Sequence, residues 1–426
     1  MFKWCKFSKK QRMLFNWWVP DSPVKESNGI IADGSIRAGK TVAMALSFIM
    51  WATYSYNHEN FIMAGKTIKS FGRNVLAPLK NILPARGFTF TYKSADNLLT
   101  VSKNGRTNDF YIFGGRDESS QDLVQGMTAA GAYFDEVALM PESFVNQATG
   151  RCSVEGAKLW FNCNPAGPMH WFKLRWIDKA KEKGLLLLHF TMDDNLSLSD
   201  EVKNRYKAMY SGVFYLRFIK GLWAVAEGLI YSMFGDANIY DDDSRPVALY
   251  STGRRYITCD YGTTNPCVFL SVWDDGDVIW IDDEYRWDSK SEEAQRLPCP
   301  NKTDSEYCED MRTFMTDNPS WQCQIIVDPS AKSFITELRQ KGFYVKEGDN
   351  DVLDGIRVCA SLFQRKKIRV HKRCKGLIRE LQSYVWDEKA GQNGDEKPVK
   401  MLDHGPDAMR YAIYTVLPDW RKSPLI

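Results

Sequence analysis

The chain has 426 residues, enough for two or three domains, and at 44% apolar and 26% charged residues it is too apolar to be disordered. A net charge of +3 excludes a histone-like polycation, so any contact with nucleic acid has to come from local patches. Ten Cys without a C-x-x-C pair and five His without zinc-finger spacing argue against a structural zinc, and a chain this long does not need a disulfide scaffold; free thiols in a reducing cytosol are expected.

The N-terminal stretch lacks a continuous apolar run, so no signal peptide is expected. The longest apolar run, around residues 42–53, is too short and interrupted to span a bilayer. In chain order, residues 30–33 read as a strand, 41–54 as a helix and 61–64 as a strand. Residues 88–93, 97–102 and 109–113 read as strands, with Asn104-Gly105 as a hairpin signal. Residues 129–134, 158–162 and 185–190 look like buried strands. This alternation predicts an α/β domain with a mainly parallel sheet over residues 1–225. Residues 226–252 have no sustained periodicity and carry Asp241-Asp242-Asp243, Ser244 and Pro246, so a linker is expected there. A second α/β domain over residues 253–426 begins with strands at 256–260, 268–273, 278–282 and 324–328. Helices follow at 333–340, 352–363, 375–384 and 407–417, and the polar stretch 288–320 reads as an insertion of unassigned shape.

Gly34-Ser35-Ile36-Arg37-Ala38-Gly39-Lys40-Thr41 matches G-x-x-x-x-G-K-[ST] between a strand and a helix. Glycines let backbone N–H groups close around phosphate oxygens at a helix N-terminus. Lys40 would reach the β- and γ-phosphates and the Thr41 hydroxyl would bind Mg²⁺. Asp135 and Glu136 end an apolar strand. Asp135 suits the Mg²⁺-holding acid and Glu136 the carboxylate that orients an attacking water. More than 90 residues separate the two motifs, room for an extra strand between them. Asn164, in Cys163-Asn164-Pro165 at the end of the next strand, can sense the γ-phosphate or simply form an Asn-Pro turn. Gln11, upstream, could read an adenine edge.

In the second half, Asp260 and Asp328 end strands and Asp407 opens the last helix. Two-metal phosphodiester hydrolysis needs hard oxygen ligands converging in this way, although each Asp alone also suits a surface or capping role. Glu284 is a fourth candidate, or a solvated strand end; His404 could assist the metals or the leaving group, or be structural. Residues 365–375 hold seven Lys/Arg in eleven positions. Alternation there suggests a strand with a basic face, and Arg365, Lys366, Lys367, Arg369, Lys372 and Arg373 are candidate phosphate contacts.

Together these residues resemble the large terminase subunit of tailed bacteriophages. The resemblance spans nearly the whole chain and rests on the P-loop with its internal Arg37, on Phe134-Asp135-Glu136, Cys163-Asn164-Pro165 and Asp260-Tyr261-Gly262-Thr263-Thr264-Asn265-Pro266, and on Asp403-His404-Gly405-Pro406-Asp407-Ala408-Met409-Arg410-Tyr411. It implies an additional-strand (ASCE-type) P-loop ATPase domain followed by an RNase H-like nuclease domain. ATP hydrolysis would drive double-stranded DNA into a procapsid, and the second domain would cut the concatemer. By the same resemblance, Gly34 to Thr41 with Asp135 form the ATP and Mg²⁺ site, Glu136 is the catalytic carboxylate, Asn164 belongs to a coupling motif and Gln11 contacts adenine. Asp260, Asp328 and Asp407, with His404 beside them, take Mg²⁺ or Mn²⁺. The implied partners are DNA, the portal protein, the small terminase subunit and further copies in a ring; no membrane is involved. The implied location is the host cytoplasm and transiently the procapsid portal, not the mature virion. Some relatives place an arginine finger about ten residues before the Asp-Glu pair; here that region is Val124-Gln125-Gly126-Met127. Arg73, Arg116 and Arg151 are the remaining candidates. The alternatives are a helicase or recombination ATPase whose second half binds DNA without cutting it, and a non-enzymatic packaging scaffold or portal adaptor with degenerate sites.

Overall fold

In the computed structural model, which describes residues 7–246, 249–263, 265–316, 323–393 and 395–420, the apolar runs of the first half become eight strands. These are β1 (Gly29–Gly34), β2 (Asn60–Gly65), β3 (Thr89–Lys93), β4 (Leu98–Lys103), β5 (Arg106–Gly114), β6 (Gly131–Phe134), β7 (Lys158–Asn162) and β8 (Leu185–Phe190). They lie in the order β3-β4-β5-β2-β6-β7-β1-β8. The pairs from β5 across to β8 are all parallel. Every residue of β1 and β6 is buried, as expected of strands covered on both faces. Asn104 and Gly105, both at positive φ (51° and 76°), make the two-residue turn joining β4 to β5, the geometry that favours Asn-Gly. β7 lies between β1, which leads into the P-loop, and β6, which leads into Asp135. β7 comes after both motifs in the chain; the residues between the motifs, where the spacing left room for an extra strand, hold β2 to β5.

Helix Lys40–Ser55 covers one face of this sheet and is buried around most of its circumference, with Phe48 and Trp51 packed on Trp160. Gly131 in β6 lets Trp51 approach; a Cβ there would sit 2.8 Å from its ring. A second apolar cluster, including Phe134, Phe161, Phe172 and Trp176, fills the opposite face.

The second compact unit, most of which follows Ala226, holds a sheet of its own. Its strands are β9 (Ile239–Tyr240), β10 (Arg254–Asp260), β11 (Cys267–Asp274), β12 (Ile279–Trp287), β13 (Gln324–Val327), β14 (Val345–Glu347) and β15 (Ile368–His371). The order is β14-β13-β10-β11-β12-β15-β9. β10, β11 and β12 form an antiparallel meander, with β13 and β14 added parallel beside β10. Helices Asp304–Thr316 and Lys332–Gln340 pack into the core on one face. Helix His404–Trp420 packs on β10 and β11 and against helix Val352–Gln364. This mixed sheet between helices is the RNase H-like architecture expected.

Several expectations shift. Residues 226–252 contain β9, and Asn238, 2% exposed, donates to the carbonyls of Phe363 (3.2 Å) and Ile368 (3.3 Å). Single anchoring side chains rather than a periodic face hold this segment, so no periodicity announces it. β12 runs on to Trp287 because its charged residues find partners, described below. The basic run forms a strand only over Ile368–His371, with Lys366 at φ 57° in the turn before it. Within 288–320 lies helix Asp304–Thr316, while residues 317–320 fall outside the described residues. Nine of the ten Cys are free thiols; Cys5 falls outside the described residues. Among the described residues no helix is long and apolar enough to cross a membrane.

Candidate functional sites

In the first unit β1 ends at Gly34, the loop turns, and helix Lys40–Ser55 starts at Lys40. Gly34 has φ 124° and packs on the Phe190 carbonyl so closely that a Cβ would overlap it; Arg37 and Gly39 also have positive φ (58° and 79°). The loop is braced from outside: Ser35 N donates to Phe190 O (2.8 Å), Ile36 N to Phe218 O (2.9 Å) and Asn195 Nδ2 to Arg37 O (2.7 Å). Lys40 is buried and its ammonium donates to Gly34 O (3.0 Å), Ser35 O (2.6 Å) and Asn164 Oδ1 (3.2 Å). Burial brings its pKa down to about 8. Ser35 Oγ is buried without a hydrogen-bond partner. The exposed Arg37 stacks over the Tyr206 ring at 5.2 Å, and Ala38 is buried. Gln11 accepts from Ser8 N (3.1 Å) in a capping box at the start of helix Lys9–Asn16. This places its amide against Gly39, where a Cβ would lie 2.6 Å from Gln11 Nε2.

Asp135 and Glu136 follow β6. Asp135 is 3% exposed, and burial raises its pKa against hydrogen bonds from Asn162, Tyr133 and Thr41. Asn162, at the end of β7 and 1% exposed, was not singled out in the sequence. Its Nδ2 donates to Asp135 Oδ1 (2.8 Å) and Tyr133 OH (3.0 Å), and stands 3.5 Å from Thr41 Oγ1. Its Oδ1 accepts from Glu136 N at 2.9 Å. Glu136 sits at φ 58°, a region a non-glycine residue rarely adopts. One amide side chain thus ties the P-loop helix, the buried acid and the turn at Glu136 together. Two adjacent glycine-permissive turns, a buried ammonium, an orphan hydroxyl and the hard oxygens of Thr41 and Asp135 fit a nucleotide phosphate with Mg²⁺.

In the second unit β10 and β13 run parallel, with Cys259 opposite Val327. The next residues, Asp260 and Asp328, therefore leave adjacent strand ends, and Asp328 N donates to Cys259 O (3.2 Å). Thr258, fully buried, donates to Ala408 O (2.7 Å) and pins helix His404–Trp420 to β10. His404 Nδ1 consequently lies 2.9 Å from Asp260 Oδ2. Burial raises Asp260 to about 6; the His404 bond opposes the rise, and the charges of Asp407 and Asp328 add to it. The three acids thus act on one another. Asp407 Oδ1 accepts from Arg410 NH2 (3.1 Å) and Tyr384 OH (3.4 Å), and Oδ2 accepts from Lys400 Nζ (3.1 Å). Asp328 accepts from Ser330 N (2.9 Å) and Ser330 Oγ (2.6 Å). Among the described residues no group of three or more His, Cys, Asp or Glu is arranged to hold an ion. The donor set, hard carboxylate oxygens from three elements, is nonetheless the one Mg²⁺ or Mn²⁺ takes.

Comparison with known proteins decides the family. The family model for the terminase large subunit, T4likevirus-type, N-terminal, matches residues 31–235. The large terminase of a thermophilic bacteriophage is 53% identical, with a TM-score of 0.91 over 97% of this chain and 100% of that one. This chain belongs to the large terminase family. A structure of the same thermophilic phage's large terminase in complex with ADP matches at 54% identity and a TM-score of 0.88, over 97% of this chain and 100% of that one. The large terminase subunit of Escherichia phage T5 is 25% identical over 348 residues, 79% of this chain and 72% of the relative. The packaging ATPase and nuclease functions of the terminase are those of this chain, and the helicase and scaffold alternatives fall.

Other candidates receive different placements in this terminase. Glu284 is turned to a helix start: its Oε2 accepts from Gly376 N (2.9 Å) and Leu377 N (3.0 Å), capping helix Lys375–Leu381. Four of the six basic candidates have local partners. Lys367 pairs with Asp277, Arg369 donates to Ala237 O (2.5 Å), Lys372 pairs with Asp241 (3.6 Å) and Arg373 with Asp242 (2.7 Å). Among the described residues Arg365 and Lys366 have no ion-pair partner. Arg73 follows β2 and Arg116 follows β5, both exposed, while Arg151 closes helix Glu142–Gly150 half-buried.

Proposed function

We propose that ATP is hydrolysed between the P-loop and the Asp135-Glu136 turn, and that the duplex is cut where Asp260, Asp328 and Asp407 converge. Lys40 moves from the Gly34 and Ser35 carbonyls to the β- and γ-phosphate oxygens. Thr41 and Asp135 hold Mg²⁺. Glu136 accepts a hydrogen bond from the attacking water and so aligns it with the γ-phosphate. Asn164, bonded to Lys40, registers whether the ammonium is on phosphate and passes that state along β7. Gln11 contacts the base. In the second unit Asp260, Asp328 and Asp407 hold Mg²⁺ or Mn²⁺, two ions in the complete site. Bound there, the metal supplies Lewis acidity and an activated water. His404 fixes the Asp260 carboxylate. Arg365 and Lys366 contact the DNA backbone. The chain works in the host cytoplasm as a ring on the procapsid portal, with the small subunit as partner, and is absent from the mature virion.

The observation that carries this reading is Asn162 joining Thr41, Asp135 and Glu136 at one point. The ADP complex of the thermophilic phage relative supports it. The test uses the full chain. Lys40→Ala is expected to abolish ATP turnover and keep Mn²⁺-dependent plasmid cutting, and Asp260→Ala the reverse. ATP turnover surviving Lys40→Ala, or cutting surviving Asp260→Ala, refutes the corresponding site.

A further inference from the structure

Beneath the nuclease site lies a buried charge cluster that neither activity accounts for. Glu380 is fully buried, and Glu284 and Arg286 side chains are 5% and 20% exposed. Arg286 grips Glu380 with two parallel bonds, NH1 to Oε1 (2.7 Å) and NH2 to Oε2 (3.0 Å), while its Nε donates to Glu284 Oε1 (3.0 Å). Glu380 Oε2 also accepts from Gly405 N at 2.6 Å, in the first turn of helix His404–Trp420. Glu284 Oε2 meanwhile takes the two amides that open helix Lys375–Leu381. A Cβ at residue 405 would lie 2.8 Å from Glu380 Oε2 and 3.0 Å from Leu377 Cδ1, so any side chain there would push the carboxylate away from the helix start.

We infer that Glu380 and Arg286 are positioning residues for the nuclease: through Gly405 N they fix the start of the helix that presents His404 and Asp407 to Asp260. The physical case is one of cost. Two carboxylates and one guanidinium are held out of water, an arrangement weak as a source of stability compared with apolar packing. What it supplies is geometry, since a bidentate fork fixes angle as well as distance. The amide it holds belongs to the neighbour of His404 and lies two residues before Asp407. A helix start that drifts by a few tenths of an ångström moves both functional side chains together. Partners that orient ligands in this way typically change metal affinity or activity by roughly 10–100-fold when replaced. This inference rests on the reading of Asp260, Asp328 and Asp407 as metal ligands.

The test is an electron paramagnetic resonance titration of Mn²⁺ into the full chain without nucleotide, beside hydrogen exchange of the 400–410 region without metal. In Glu380→Gln one amide N–H faces Arg286, so the fork and the Gly405 bond cannot both persist. Arg286→Lys keeps the charge and loses the fork, and it carries the test if Glu380→Gln fails to fold. Both variants are expected to bind Mn²⁺ roughly 10–100-fold more weakly, to lose amide protection at the helix start and to keep wild-type ATP turnover. Wild-type Mn²⁺ affinity in the folded variants overturns the inference, as does lost thermal stability with Mn²⁺ affinity and helix-start protection intact, which marks a purely structural role. Asp260→Ala is titrated in parallel. If it still binds Mn²⁺ like wild type, the ligand reading and the inference fall together; if it alone loses Mn²⁺, only the inference falls.

Discussion

At the scale of single residues the two sites solve the same problem, keeping carboxylates charged in places that resist charge. Asp135 does so with three hydrogen bonds, one of them from Asn162. Replacing Asn162 by Leu keeps the volume and removes its bonds, so that Asp135 is left with those from Tyr133 and Thr41 and Glu136 N loses its bond to the amide oxygen, at up to about 1–3 kcal/mol for each lost partner. The turn at Glu136, with its φ of 58°, then lacks the bond from Glu136 N to Asn162. ATP turnover is expected to fall by roughly 10²-fold, the scale of a catalytic group misplaced by about an ångström, with a smaller change in nucleotide affinity. Steady-state hydrolysis beside ADP titration checks this, and an unchanged kcat would exclude the role. Asp260 has a weaker set of donors and answers to pH instead. Its carboxyl is raised from 3.8 to about 6, so the folded chain holds a proton that the unfolded chain releases. The ion-free second unit therefore gains stability as pH falls through about 6 towards the unfolded value. Ion binding needs the carboxylate, so Mn²⁺ affinity is expected to drop by about tenfold per pH unit below that point. A Mn²⁺ affinity that stays flat from about pH 5 to about pH 7 would contradict the burial-driven shift.

At the scale of elements, the basic run 365–375 separates sequence pattern from structural use. Arg369, Lys372 and Arg373 spend their charge on the Ala237 carbonyl, Asp241 and Asp242, which fastens the segment around β9 to β15, while Lys367 pairs with Asp277 in the turn between β11 and β12. Ala substitutions at Lys367 or Arg373 are expected to lower the stability of the second unit by up to about 1 kcal/mol each, the range of exposed pairs, with little change in DNA affinity. Arg365→Ala and Lys366→Ala are expected to weaken DNA binding and to reduce the salt slope by about one each. Fluorescence anisotropy at several salt concentrations distinguishes the two groups; equal slopes for all four variants would refute the division. Sequence reading could not make it, because a charge pattern does not reveal what faces it. The same limit explains β9 and β14, of two and three residues, too short to show alternation. By contrast β1, β6 and β7 are apolar runs leading into motif residues, and their sequence reading survives because burial, complete in β1 and β6 and covering the last three residues of β7, leaves a continuous signal. The P-loop and the acids after strands were legible for that reason. Asn162 and Glu380 were not, since a buried polar residue inside a strand or helix differs from a surface one only through its partners.

At the scale of the whole molecule, each unit has its own sheet and apolar core, and the candidate residues of each activity fall within one unit. Binding free energy goes to whichever cooperative block holds the site, because a ligand stabilises only states in which that site is formed. At a hundred times its Kd a nucleotide adds about 2.7 kcal/mol, which for a block of this size raises a melting midpoint by roughly 5–10 °C. ADP with Mg²⁺ is therefore expected to slow hydrogen exchange in β1, β6, β7 and helix Lys40–Ser55 while leaving β10 and β13 unchanged. Mn²⁺ without nucleotide is expected to protect β10, β13 and the start of helix His404–Trp420. Asp260→Ala removes the second response and keeps the first, and Lys40→Ala does the converse. Exchange mass spectrometry on the full chain reads all of these regions in one experiment. Protection by ADP spreading equally through both sheets would mean that the two cores open as a single block, and the assignment of one ligand to each would fail.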